Sequence, residues 1–247
     1  MKPVRPAADH KATLQPLFAT ELGFWPTLQI RAQHLALEAA ARPYRSLLVL
    51  LALNATLLAL FVPAGSVLFS DPAEFLRELM PGTWLSFAEL AFVAIVAWTI
   101  HRELTAAERT RVESFWALSA IVFAVFAIDE ITQLTIFLAD GLTALGALAP
   151  AGFADLDAFL LTVMFVAAGA ALLRYGRDLL AHPPAIAVLA AGVVLGAASQ
   201  GLDSIFVSTT GEFVAEESLK LAAEPFIVGG YLVVLNRVAR QLENQRV

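Results

Sequence analysis

Residues 115–139 read FWALSAIVFAVFAIDEITQLTIFLA, and the fold turns on how this stretch is understood. It has the length of a helix crossing about 30 Å of hydrocarbon, which takes roughly 17 to 25 mostly apolar residues. Yet Asp129, Glu130 and Gln133 lie inside it. Ionisable groups in hydrocarbon are costly, so an acid pair at this depth marks a binding site, an ion path or a network that locks helices together.

The rest of the chain has the same character. It is 247 residues long, 59% hydrophobic and 15% charged, where soluble domains run near 45 to 50% and about 25%. An all-α polytopic membrane helix bundle is expected. Five more runs are long enough to span: Ser46–Val62, Thr83–Ile100, Leu156–Leu173, Pro184–Val207 and Phe213–Asn236. With Phe115–Ala139 they make six transmembrane helices. The expected organisation is an N-terminal cytoplasmic or interfacial segment over 1–45, a transmembrane domain over 46–236 and a cytoplasmic tail over 237–247. No internal repeat or second soluble domain is visible.

Basic residues set the orientation, because short cytoplasmic loops are rich in Lys and Arg. Lys2, Arg5, Lys11, Arg31, Arg42 and Arg45 precede the first span, and Arg102, Arg109 and Arg111 follow the second. Arg174 and Arg177 follow the fourth, and Arg237, Arg240 and Arg246 follow the sixth. Only Arg77 and Lys220 fall elsewhere among the 16 Lys and Arg. Both termini are therefore expected in the cytoplasm. The opposite loops are acidic, with Asp71, Glu74 and Glu78, then Asp140 and Asp155, then Glu212.

Two amphipathic segments flank the spans. Asp71-Pro72 reads as a cap and first helical proline, with Phe75, Leu76, Leu79 and Met80 on one side of a short surface helix. Residues 12–42 carry Leu17, Phe18, Leu22, Phe24 and Trp25 before a helix-prone run from Thr27 to Arg42. This predicts an N-terminal interfacial helix on the lipid bilayer, serving as an anchor or docking a protein partner. Nothing behind Lys11 resembles the apolar core of a signal peptide, so no cleaved leader is expected.

With that orientation, ten polar residues share the outer half of the membrane: Glu89, Asp129, Glu130, Gln133, Gln200, Asp203, Glu216, Glu217, Lys220 and Glu224. Residues three, four or seven apart share a helix face, so Asp129 with Gln133, Gln200 with Asp203, and Glu217 with Lys220 and Glu224 each point one way. An acid or lysine at helix centre costs about 2.5 to 3.5 kcal/mol on the insertion scale, which disfavours a lipid-facing position. The expectation is an acidic bowl open to the outside. Either several acids hold protons there or a cation occupies it. Asp129, Glu130, Asp203, Glu217 and Glu224 are the candidate cation or proton ligands, with Gln133, Gln200, Lys220, Glu89 and Glu216 in support.

Blander readings stand beside these. Ser86 with Glu89, and Thr209 with Glu212, match capping boxes, so Glu89 is equally readable as a helix-start residue. Lys220 reads as counter-ion to Glu217, Glu224 or an acid on a neighbouring helix; a Schiff-base lysine, or a dyad with Ser199, Ser204, Ser208 or Ser218, is the alternative. Pro225 removes the backbone bond to Leu221 and predicts a kink. Gly229-Gly230 permits a close helix approach, and Gly192 with Gly196, and Ala167–Ala171, are packing signals. Asn54 is expected to hydrogen-bond across helices.

Absences narrow the chemistry. There is no cysteine, and His10, His34, His101 and His182 all map to the cytoplasmic side. A Ser-His arrangement, a His-ligated zinc or a haem in the bowl is therefore disfavoured. An oxygen-lined cluster suits a hard divalent cation, Ca, Mg or Mn. The formal charge of −6 argues against a nucleic-acid partner.

Ala127-Ile128-Asp129-Glu130-Ile131-Thr132-Gln133-Leu134 and Glu216-Glu217-Ser218-Leu219-Lys220-Leu221 resemble segments of a group of bacterial multi-pass membrane proteins without an assigned activity. In that group an Asp-Glu pair late in one span precedes Leu-His-Glu, and a Glu-Glu pair opens the last span. Here Thr135 and Ile136 stand in place of the His and Glu, so the resemblance carries no metal chemistry and implies no reaction. It singles out Asp129, Glu130, Glu216 and Glu217.

Three functions fit these features. The first is an outward acidic cavity binding or translocating a cation or cationic small solute with proton coupling at Asp129 and Glu130. The second is a non-catalytic subunit or assembly factor of a membrane complex. The third is an intramembrane enzyme acting on lipid, although adjacent Asp129 and Glu130 diverge by about 100° on a helix and would need a partner such as Asp203 or Glu217.

Overall fold

Prolines start three of the long helices, at Pro43, Pro81 and Pro183. At the first helical position their missing N–H has no partner to lose and their fixed φ suits the helix. The computed structural model describes residues 24–77, 80–107, 113–148, 150, 156–205 and 209–246. The expectations that rest on Lys2, Arg5, His10, Lys11, Leu17, Phe18, Leu22, Glu78, Leu79, Arg109, Arg111, Asp155, Val207 and Ser208 lie outside these residues. So do the side chains of Phe24, Trp25, Arg177, Asp203, Ser204 and Arg246.

The described residues form helices and no strand. In chain order they are α1 (Phe24–Ala40), α2 (Pro43–Leu68), a 3-10 turn (Glu74–Leu76), α3 (Pro81–Ala106), α4 (Glu113–Thr132) and α5 (Leu134–Ala144). Then come α6 (Leu156–Tyr175), a second 3-10 stretch (Gly176–Ala181), α7 (Pro183–Ile205) and α8 (Thr210–Arg246). Among the described residues five helices are long and apolar enough to cross a membrane: α2, α3, α4, α7 and α8. Exposed Leu48, Val49, Leu60 and Val67 on α2, with Val193 and Val194 on α7, give them apolar outer surfaces suited to lipid.

The structure corrects several details. The third span, expected unbroken over Phe115–Ala139, is two helices that meet at Gln133. α8 runs through Pro225 and on to Arg246, so the tail continues the last helix instead of leaving it. The surface helix after Asp71 is one 3-10 turn, begun by the Ala73 N–H donating to Asp71 Oδ1 at 2.9 Å. Ser86 and Glu89 do not cap α3, because Pro81 starts that helix five residues before Ser86. Thr209 and Glu212 do form a reciprocal capping box, at 2.8 and 3.3 Å.

α8 is the central element and packs against α7, α3, α2 and α1. Its approach to two neighbours depends on Gly229 and Gly230. A Cβ at Gly229 would lie 3.2 Å from the Leu47 side chain of α2, and one at Gly230 would collide with Leu189 of α7. At Gly192 of α7 a Cβ would lie 2.9 Å from Ile227 Cγ1 and 3.0 Å from the Ala223 carbonyl.

The two ends of the bundle differ chemically. One holds the C-terminal ends of α3 and α8, tied by α1 through Arg102–Gln33 at 2.9 Å and Asn236 Nδ2 donating to the Ala40 carbonyl at 2.7 Å. Its interior is apolar, with Ile100, Leu104, Phe115, Trp116, Tyr231, Leu235 and Val238 around buried Ala36 and Ala40 of α1. At the other end Arg77 pairs with Asp71 at 2.7 Å and lies 5.7 Å from the Phe213 ring. Arg77 and the Ala73 N–H hold the Asp71 carboxyl below the ordinary carboxylate range. Their support of this loop is full above that range and is lost as pH falls through the lowered value.

Overpacking at these close approaches costs about 1 to 3 kcal/mol. Gly230→Val is expected to lower the thermal unfolding midpoint in detergent, and Leu189→Ala to restore part of it. Gly192→Val is expected to resist rescue by Ile227→Ala, because the Ala223 carbonyl remains in the way.

Candidate functional site

The polar side chains meet where α3 and α8 begin and α4 and α7 end. A cavity of about 430 Å³ there is lined by Asp129, Glu130, Gln133, Gln200, Glu216, Glu217, Lys220 and Glu224. Eight of the ten expected residues thus share one space. Glu89 sits behind it, hydrogen-bonded to Asn54. Asp203 belongs to α7, with its side chain outside the description.

Lys220 anchors the arrangement. Its ammonium lies 3.0 Å from Glu130 Oε1 of α4 and 3.1 Å from Glu217 Oε1, one helical turn away on α8. Such charge-assisted contacts in a low-dielectric setting hold two helices in one relative register. The cavity wall nonetheless carries five acids against this one lysine. Carboxyl groups therefore outnumber the ammonium even with Lys220 paired.

Asp129 has a different task from its neighbour. Its Oδ1 accepts the Thr135 backbone N–H at 2.8 Å, and its Oδ2 accepts the Thr135 hydroxyl at 3.0 Å. A carboxylate that takes a backbone N–H offers the chain an alternative to the helical bond. Gln133 accordingly adopts φ 53°, ψ 41°. A non-glycine residue in this left-handed region costs roughly 1 to 2 kcal/mol, which hydrogen bonds to a charged group, at about 1.5 to 3 kcal/mol each, offset. Asp129 thereby turns the helix at the cavity wall, while Glu130 meets Lys220.

A second buried network lies beneath the cavity. Pro225 has no N–H to give the Leu221 carbonyl, and Asn54 Nδ2 donates to that carbonyl at 2.6 Å across from α2. The same amide reaches Glu89 Oε2 at 3.2 Å. Ser86 Oγ donates to Glu224 Oε1. Asn54 is 2% exposed and Glu224 4%. Sequence reasoning singled out Asn54, Pro225 and Glu224 separately but missed Ser86 as a partner. The i, i+3 spacing of Ser86 and Glu89, which fits a cap equally well, was the available signal: it puts both on one face of α3.

Among the described residues no group of three or more carboxylate or imidazole side chains is disposed to hold a metal ion. Ser218 Oγ donates to Val214 O at 2.6 Å, and Ser199 lines the cavity. No histidine does.

A family model described as a domain of unknown function, DUF8692, matches residues 46–235. That span takes in the whole cavity and leaves out α1. No curated protein and no solved structure matches the chain.

Leaving the buried Leu221 carbonyl without a donor costs about 1 to 3 kcal/mol. Asn54→Leu is expected to destabilise the protein by that order in detergent unfolding. In a Pro225→Ala background, whose restored N–H serves the same carbonyl, the same change is expected to cost less than half as much. Equal losses in both backgrounds would mean that the carbonyl is not what Asn54 supports.

Proposed function

The chain belongs to the DUF8692 family, a domain of unknown function, and we propose that this member is a six-span membrane protein that binds a positively charged solute in its acidic cavity. The spans are α2, α3, α4 continued by α5, α6, α7 and α8. α6 is the 20-residue helix Leu156–Tyr175, which adds the sixth crossing. An even number of crossings puts both termini on one side. The clustering of Arg42, Arg45, Arg102, Arg174, Arg237 and Arg240 at one end of the helices favours the cytoplasm for that side. The cavity then faces away from the cytoplasm, and a bacterial inner membrane is the location the sequence resemblance implies.

The excess of carboxylates over Lys220 in the cavity carries this reading. A cleft whose walls carry more carboxylates than ammonium groups draws a cation. The apolar interior at the basic end favours a blind binding site that opens on one side at a time over a continuous pore. Lys220 supplies the charge compensation of the empty state, and an arriving cation competes with its ammonium for Glu130 and Glu217.

Two substitutions of opposite sign test this. With purified protein in nanodiscs and organic and inorganic cations titrated calorimetrically, Glu217→Gln is expected to weaken binding roughly tenfold and Lys220→Met to strengthen it by a similar factor. Lys220→Gln serves as a second variant should Lys220→Met unfold. Binding that both substitutions weaken alike, or that neither changes, contradicts the proposal.

A further inference from the structure

We infer that the solute is a protonated amine carrying an apolar body, held with its ammonium against Glu130, Glu217 and the neighbouring carboxylates and its body against the aromatic wall of the same cavity. This rests on the cation-binding reading and names the class of cation.

Size is the first argument. At about 430 Å³ the cavity far exceeds one ion with its ligands, given that a water takes up about 30 Å³ in the liquid. It falls within the roughly 300 to 1,000 Å³ range of small-molecule sites. The second argument is the division of its walls. Glu130, Glu216, Glu217 and Glu224 form a charged side, whereas Leu90, Phe123, Phe126, Ile136, Leu161 and Ile227 also line the space. A bare ion has no use for that apolar surface. An aliphatic or aromatic body gains from covering it, and an ammonium beside a ring face gains a cation–π term.

Hydrogen bonding selects among organic cations. Glu130 and Glu217 line the cavity and meet the Lys220 ammonium at 3.0 and 3.1 Å. Carboxylates of this kind form their strongest contacts with a charged donor. A primary or secondary ammonium supplies one; a quaternary ammonium does not. Lys220 already shows that the cavity accommodates this chemistry, since it brings a primary ammonium on a four-carbon stem to Glu130 and Glu217. A hard metal ion would instead need several oxygens converging on one point, and the described residues offer no such group.

The test uses the full-length protein in nanodiscs and four probes: 2-phenylethylamine, its N,N,N-trimethyl derivative, methylamine and Mg²⁺. 2-Phenylethylamine is expected to bind at least roughly tenfold tighter than each of the others. Phe126→Ala should reduce its affinity severalfold while leaving that of methylamine unchanged, and Phe126→Leu should give a smaller loss. Equal binding of the trimethylated probe overturns the donor requirement and with it the inference. Tighter binding of Mg²⁺, insensitive to Phe126, overturns the inference and leaves the cation-binding reading standing. If no probe binds in a Glu217-dependent manner, the cation-binding reading itself falls.

Discussion

An ammonium cannot be left alone at membrane depth, and the pairing of Lys220 with Glu130 and Glu217 is the constraint on which the arrangement of this protein depends. The lysine sits on α8, the helix that touches most of the others, and it reaches α4, from which α5, α6 and α7 separate it along the chain. Breaking one contact leaves a charge without compensation, which is worse than never having placed it there. The helices are therefore held in register by a polar contact in the half of the bundle where apolar packing is interrupted by a cavity.

Beneath that contact the chain resolves a second conflict. Pro225 in the middle of α8 takes away a backbone donor, and in a membrane a free carbonyl has no water to turn to. Asn54 meets this demand from α2, and through Glu89 it ties α3 into the same network. α2, α3 and α8 are thus joined at the floor of the cavity by groups that each answer a local deficit. From there to the basic end the interior is apolar, closed by Trp116, Tyr231 and Leu235. A polar half that holds a cavity and an apolar half that closes it is the division that the proposed binding of a solute requires.

Much of this was legible in the sequence, because membranes impose length and charge rules on the chain. Apolar runs located the five helices that are long enough to span, and helical spacing grouped Glu217, Lys220 and Glu224. The break at Gln133 was not legible. Residues 127–139 contain neither Gly nor Pro, and the bend comes from a carboxylate displacing a backbone bond, which depends on a rotamer and leaves no compositional trace. Glu89 was ambiguous for a related reason: a Ser-x-x-Glu spacing is the same at a cap and along a helix face, and only the start at Pro81 decides between them. The pairing of Asn54 with Leu221 required knowing which helices are neighbours, and periodicity within one helix carries nothing about that.

The chain has no cysteine, so the convergence of α4 and α8 can be tested against a silent background. The measurement is cross-linking of Phe123→Cys with Tyr231→Cys by a short bis-maleimide in native membranes, with Lys220, Glu130 and Glu217 left in place and a protease site inserted after Pro150. The native rings, one on α4 and one on α8, lie 5.4 Å apart, so the account predicts that the two fragments stay joined after cleavage. A control pairing Phe123→Cys with Val193→Cys, on the exposed side of α7, should come apart. Fragments that separate equally in both pairs would contradict the convergence of charges on which the cavity depends.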